Sequence, residues 1–304
     1  MGGGAVSFLP VVLALLAGAY LVAVLEGWVS TGRFRPAGPI LSGLALLGQE
    51  SLVPRTPDRI FFEAGPVLLL TSALLASAVL PLGPGVVIVD LATGALFVNA
   101  ALVYVMVALV MSGWGPDAAY AMVGGFRFLG QLVGYSMPIV MVIAAVAMRA
   151  ESLATTEVVE SQAALWNALY QPVGFVVFMA AAMALCFLPP FDLPTAPGEL
   201  AGGVVAEYTG WRLAVLRLAR AVLVVTVAAA VTVFFLGGWH GPVLPPWAWS
   251  AVKTLAVAAG MLAAGRYVPR VREEHLLAWW WKLGIPLALL NIFVVGIMLV
   301  TVGG

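Results

Sequence analysis

The sequence predicts an all-α integral membrane protein: a bundle of about eight transmembrane helices with a re-entrant or amphipathic cytoplasmic loop between spans five and six. Three observations lead to that expectation. Hydrophobic residues make up 63% of the chain and charged residues 9%, where soluble domains carry roughly 25% charged residues. Mean hydropathy is +1.08, and apolar runs recur at the ~20-residue length that crosses a bilayer core. Between two of those runs stands "PPFDLPTAPGELAGGVVAEYTG", residues 189–210, which holds Asp192, Glu199 and Glu207.

The elements follow in chain order. The first span, 5–25, has neither a basic leader nor a small-residue cleavage site, so it reads as a retained helix rather than a removed signal peptide. The run 38–50, "GPILSGLALLGQE", is too short to span and is expected to lie along the interface or tuck into the bundle. Seven further spans are expected over 64–82, 86–111, 127–149, 165–188, 212–237, 246–265 and 278–302. Trp279, Trp280 and Trp281 read as an interfacial aromatic belt. Residues 1–304 then form a single polytopic membrane domain. The internal repeat and paired broken helices of many free-standing transporters are not evident.

Basic residues set the expected orientation. The first, third, fifth and seventh connections with their flanks hold Arg33, Arg35, Arg55, Arg59, Arg127, Arg212, Arg217, Arg220, Arg266, Arg270, Arg272 and Lys282, against Arg149 and Lys253 on the other side. By the positive-inside rule the odd connections face the cytoplasm and both termini face outward. The 189–210 segment becomes a cytoplasmic loop open to a soluble partner. Formal net charge is zero, which gives no surface for nucleic acid.

The candidate chemistry is sparse. One cysteine, Cys186, cannot hold an iron–sulfur cluster, which normally takes four thiolates. His240 and His275 have no carboxylate or thiol at ligand spacing, so no metal site is expected and any redox centre belongs to a partner. The 189–210 segment reads either as a solvated loop whose acids answer the following arginines or as a buried re-entrant stretch. The apolar content of "AGGVVAEYTGW" favours the second, in which Glu207 needs a partner or a function. Asp90 falls inside the expected third span, where an ionised acid is expensive. Arg127 and Gln131 share one helix face at i and i+4, and Lys253 either snorkels outward or acts in the bundle.

"PFDLPTAPGEL…EYTG" resembles the signature of the complex I membrane subunit that closes the quinone chamber, called the H subunit in bacteria and subunit 1 in mitochondria. The same family includes membrane subunits of energy-converting hydrogenases. Collinear matches are "VPRTPDRIFFEAGP" (53–66), "PGVVIVDL" (84–91), "GWGPDAAYAMVGGFRFLGQ" (113–131), "SQAALWN" (161–167), "FFLGGWHGPVLPPWAWSAVKT" (234–254) and "WKLGIPLALLN" (281–291). The resemblance implies a subunit, itself without redox groups, of a quinone-reducing, proton-translocating oxidoreductase in the cell's inner membrane. Its partners would be peripheral iron–sulfur subunits and other membrane subunits, and its substrate a quinone, ubiquinone or menaquinone being left open.

The resemblance assigns Arg33, Arg35, Asp192, Glu199, Glu207 and Arg212 to the quinone chamber and peripheral-arm contact. It assigns Asp90 and Glu207 to a proton relay, with Arg127, Gln131 and Lys253 in support. Ser136, Leu185, Thr195 and Pro197 stand where relatives often carry glutamates, so the implied relay is weakened or rerouted. The alternative is a non-pumping or hydrogenase-like membrane anchor.

Overall fold

The computed structural model describes residues 4–302. In chain order its helices are α1 (Gly4–Thr31), α2 (Gly38–Leu47), α3 (Arg59–Ala78), α4 (Gly94–Trp114), α5 (Ala119–Ala150), α6 (Thr155–Glu160), α7 (Asn167–Tyr170), α8 (Pro172–Leu185), α9 (Gly210–Phe235), α10 (Pro246–Tyr267), α11 (Glu273–Trp279) and α12 (Ile285–Val302). A π-helical turn, Trp280–Gly284, joins α11 to α12 so that they cross as one rod. Local sequence fixes several starts. Asp58 caps α3 by accepting from the Ile60 and Phe61 amides, and prolines open α8 and α10 where no amide is needed.

Among the described residues seven helices are long and apolar enough to cross a membrane. The expected fifth span is the exception. Gln171, in a non-helical conformation, separates α7 from α8, and α8 has only 14 residues. Fourteen residues rise about 21 Å, short of the ~30 Å hydrocarbon core. The chain continues past Leu185 as irregular but buried backbone, which a bilayer tolerates when protein surrounds it. The expected third span also starts late: 86–93 form a loop after the Gly83–Val86 bridge, and the helix begins at Gly94.

α9 forms the centre of the bundle, with 83% of its apolar window buried, and α12 lies at the rim with 22%. Small residues bring the neighbouring helices close. A Cβ on Gly65 of α3 would collide with Ser112 of α4, and one on Gly113 would sit 2.6 Å from the Ala121 carbonyl of α5. Such close approach is how helices associate where lipid removes the hydrophobic drive between them. Of the expected tryptophan belt, Trp279 and Trp281 are exposed, while Trp280 is buried against Tyr135.

Candidate functional site: the ion-paired loop end

One end of the bundle, the loop end, gathers the α1–α2, α4–α5, 186–209 and α10–α11 connections and the start of α3. The 186–209 segment lies across it. Its backbone is satisfied internally: Leu188 N–H donates to Met183 O at 3.1 Å, Ala196 N–H to Asp192 O at 2.8 Å, and Val204 N–H to Pro194 O at 3.1 Å. Gly203, at φ +52°, and Gly124 of α5 both approach the Pro194 carbonyl so closely that any side chain would collide with it. Gln131 is 1% exposed and donates through Nε2 to Ala184 O at 2.9 Å and Phe191 O at 3.1 Å, which ties the segment to α5.

Five ion pairs among the described residues all lie toward this end. Arg127 bridges Glu199 at 2.7 Å and Glu273 at 3.1 Å, joining α5, the segment and α11. Asp192 is buried and meets Arg270 at 3.0 Å. Arg220 meets Glu26 at 3.2 Å and stacks on Phe187 at 5.1 Å. Arg212 is buried between the Phe62 and Trp211 rings, forks onto both Glu63 oxygens and donates to Ser51. Tyr208 stacks on Phe62 at 4.6 Å and its hydroxyl reaches the Phe62 and Ser112 carbonyls at 3.3 Å. Burial pushes that phenol well above its ordinary range and keeps it a donor.

The expected site residues divide into three groups. Arg127, Gln131, Asp192 and Glu199 converge as described. Arg33, Arg35 and Glu207 lie at the same end but face solvent. The expectation of a buried Glu207 is wrong: the 3₁₀ turn Gly203–Val205 turns Val204 and Tyr208 inward and leaves Glu207 outside, with no ion pair among the described residues. Arg212 therefore pairs with Glu63 and not with Glu207. Asp90 and Lys253 lie at the opposite end. Asp90 is exposed in the loop before α4, accepting from Thr156 at 3.3 Å, and is not inside a span.

Lys253 does not snorkel outward. Its Nζ donates to the carbonyls of Leu236 (2.6 Å), Gly238 (3.1 Å) and His240 (2.7 Å) and lies 4.5 Å from the Trp166 ring. It satisfies the carbonyls at and beyond the end of α9. Asp90 and Glu207 thus occupy opposite surfaces and do not form one interior relay.

Sequence reasoning gave no site role to Glu63, Glu273, Arg270, Tyr208 or Glu26, although Arg270 entered the count of basic residues. Only Glu63 and Tyr208 carried a signal, since they stand within "VPRTPDRIFFEAGP" and "EYTG". Of the four positions where the resemblance leads one to expect glutamates, Ser136 and Leu185 line one apolar cavity between α4, α5, α8 and α9. Thr195 bonds to Asp192 O at 3.3 Å, and Pro197 is on the surface. Among the described residues no group of three or more His, Cys, Asp or Glu could hold a metal ion.

The same stretches of chain are matched in known proteins. The family model described as NADH dehydrogenase matches residues 26–296. The chain is 35% identical over 280 residues to an H subunit of NADH-quinone oxidoreductase from Geobacter sulfurreducens, covering 89% of this chain and 85% of that one. It is also 35% identical over 271 residues to the H subunit of NADH-quinone oxidoreductase from Syntrophotalea carbinolica, covering 86% and 82%. A chain from the solved membrane-bound sulfane sulfur reductase, an archaeal respiratory membrane complex, has the same fold, with TM-score 0.85 and 22% identity over 97% of this chain and 100% of the other. The loop-end segment and its arginines lie inside the matched region, and the chain belongs to the NADH dehydrogenase family, the family of the H subunits of NADH-quinone oxidoreductases.

Proposed function

We propose that this chain is the membrane subunit, without redox groups of its own, of a complex I-like quinone-reducing assembly, and that its loop end seats the peripheral electron-transfer module above a quinone chamber. The observation behind the proposal is the 186–209 segment, held across the loop end of the bundle by Gln131 and by the Arg127–Glu199 and Arg270–Asp192 ion pairs, which add polar groups to a largely apolar stretch. A quinone needs that combination: hydrogen-bonding groups for its head and an apolar corridor for its tail. Exposed Arg33, Arg35 and Glu207 at the same end supply charges that a soluble partner can meet. Electrons arrive through iron–sulfur clusters of that partner, since Cys186 is single and buried. With the odd connections on the cytoplasmic side, the peripheral module docks from the cytoplasm.

One observation favours the anchor reading over proton conduction along this chain. Leu185 and Ser136, where the resemblance leads one to expect acids, line an apolar cavity, and the two candidate relay acids lie on opposite surfaces. Leucine cannot pass a proton, and interior conduction needs titratable groups or ordered water at short intervals.

The assembly purified through a tag on this chain tests both parts. Iron–sulfur proteins should co-purify and reduce quinone, while proteoliposomes show little proton uptake attributable to this subunit. A chain that purifies alone, or an assembly inert toward quinones, would remove the proposal.

A further inference from the structure

The face that α11, the π turn and α12 present to α5 and α8 is one buried line: Leu276, Trp280, Gly284, Ala288, Asn291 and Val295, with Glu273 at its head against Arg127. A regular α-helix advances about 100° per residue, which would leave Leu276 and Val295 about 100° apart around the axis. The π turn cancels that offset. Its bond from Ile285 N–H to Trp280 O spans five residues instead of four, so the turn takes up one extra residue. Trp280 fills a slot between the helices: a Cβ on Gly134 would lie 3.0 Å from its side chain and one on Gly284 2.5 Å, and Tyr135 meets the ring edge-on at 6.4 Å.

The sequence repeats these residue types one position later. Glu274 follows Glu273, Leu277 follows Leu276, and Trp281 follows Trp280. The second set is turned away from α5: Glu274 is exposed with no ion pair among the described residues, and Trp281 is 57% exposed. In a regular helix continued back from α12, the buried line would run from Gly284 through Trp281 and Leu277 to Glu274, at helical steps of three and four residues. Each contact made now by the first member of a pair would then be met by the second: a glutamate at Arg127, a leucine behind it, an indole beside Gly134. Three doublets, at the three positions that face α5 ahead of Gly284, meet one condition, that the face survive a shift of one residue.

We infer that α11 has two registers against α5: the π register described above, and a regular one in which the π turn dissolves, α11 rotates by about 100°, and Glu274 and Trp281 replace Glu273 and Trp280. The exchange sets the tension of residues 268–272. In the π register they are drawn over the 189–199 segment by Val271 N–H to Pro190 O at 3.2 Å and by Arg270 to Asp192 at 3.0 Å. With Glu274 at Arg127, one more residue lies between α10 and that contact, about 3.5 Å of extended chain, which lets both contacts part. The regular register gains an unbroken helix and the π register keeps the contacts over the segment, so neither is favoured on both counts. The two registers are a property of this chain and need neither quinone nor a docked module.

The test is fluorine NMR of the full chain in lipid nanodiscs, with fluorotryptophan in place of Trp281 only. Two resonances are expected, one for the exposed indole and one for the indole in the slot beside Gly134. Glu273→Gln should raise the slot resonance about threefold relative to the exposed one, the effect of one partly exposed ion pair, and Glu274→Gln should lower it by a similar factor. Deleting Lys282 removes the extra residue, keeps Glu273 and Trp280 in place on a regular helix, and should leave the exposed resonance alone. Trp280→Ala empties the slot, and the slot resonance should then dominate. A single exposed resonance in the parent that persists in both Glu273→Gln and Trp280→Ala would overturn the inference. Two resonances whose ratio is unchanged by Glu273→Gln and by the Lys282 deletion would overturn it as well.

Discussion

Glu63→Gln keeps the size of the side chain and removes the charge that Arg212 meets. The Arg212 side chain is 10% exposed, and its charge is otherwise answered only by the Ser51 hydroxyl and two aromatic faces. Removing one partner of a fully buried ion pair costs about 3–5 kcal/mol. The Glu63 side chain is 45% exposed, so solvent screens the pair, and the cost falls to about 1–2 kcal/mol. Glu207→Gln is the matched control at an exposed acid without an ion pair, where a change stays within ~0.5 kcal/mol. Thermal unfolding of the purified chain in detergent reads the difference. For a chain of this size the midpoint should fall by about 2–4 °C in Glu63→Gln and by less than ~1 °C in Glu207→Gln. Equal midpoints in the two variants, or a larger loss in Glu207→Gln, would refute the assignment of Arg212 to Glu63.

Three other outcomes are expected. Gln131→Leu removes the donor to Ala184 O and Phe191 O, so about 1–3 kcal/mol should be lost, seen as faster proteolysis within 189–210; unchanged proteolysis would show that the segment does not depend on α5. Lys253→Met strands three carbonyls beyond α9 and should lower the unfolding midpoint more than Glu207→Gln does, whereas a neutral result would point to snorkelling after all. A cysteine at Val243, which is 85% exposed, should take an impermeant maleimide in intact cells, and one at Ala201 only in inverted membranes; reversed labelling would discard the cytoplasmic loop end. The native Cys186, fully buried, gives little background in that assay.

The bundle was legible because hydropathy is an additive property of a segment: six of the eight expected spans overlap long helices closely. It failed where a segment's apolar content answers a different constraint. Residues 86–93 are apolar yet form a loop, because Pro84 and Gly85 turn the chain and no helix starts before Gly94, which leaves Asp90 at the surface. The end of the 165–188 run, Ala181–Leu188, is buried inside the protein, while Leu165, Leu169 and Val176 are exposed, and hydropathy does not separate burial in protein from burial in lipid.

The site was half legible. Arg127 and Gln131 share a face by helical spacing, and the structure turns that face toward 184–199. The Arg212–Glu63 pair spans 149 positions, and only tertiary structure could reveal it. Glu207 was misread because its neighbours Val204, Val205 and Tyr208 are apolar. In a 3₁₀ turn adjacent residues face different ways, so their burial says nothing of its own.

A density map of the native complex, even at modest resolution, tests the docking surface most directly. The soluble electron-transfer module should cover residues 189–210 and meet Arg33, Arg35 and Glu207, with a quinone-sized chamber beneath the Arg127–Glu199 and Arg270–Asp192 pairs. A module seated on the Asp90 end, or a loop end left bare in an active complex, would contradict it.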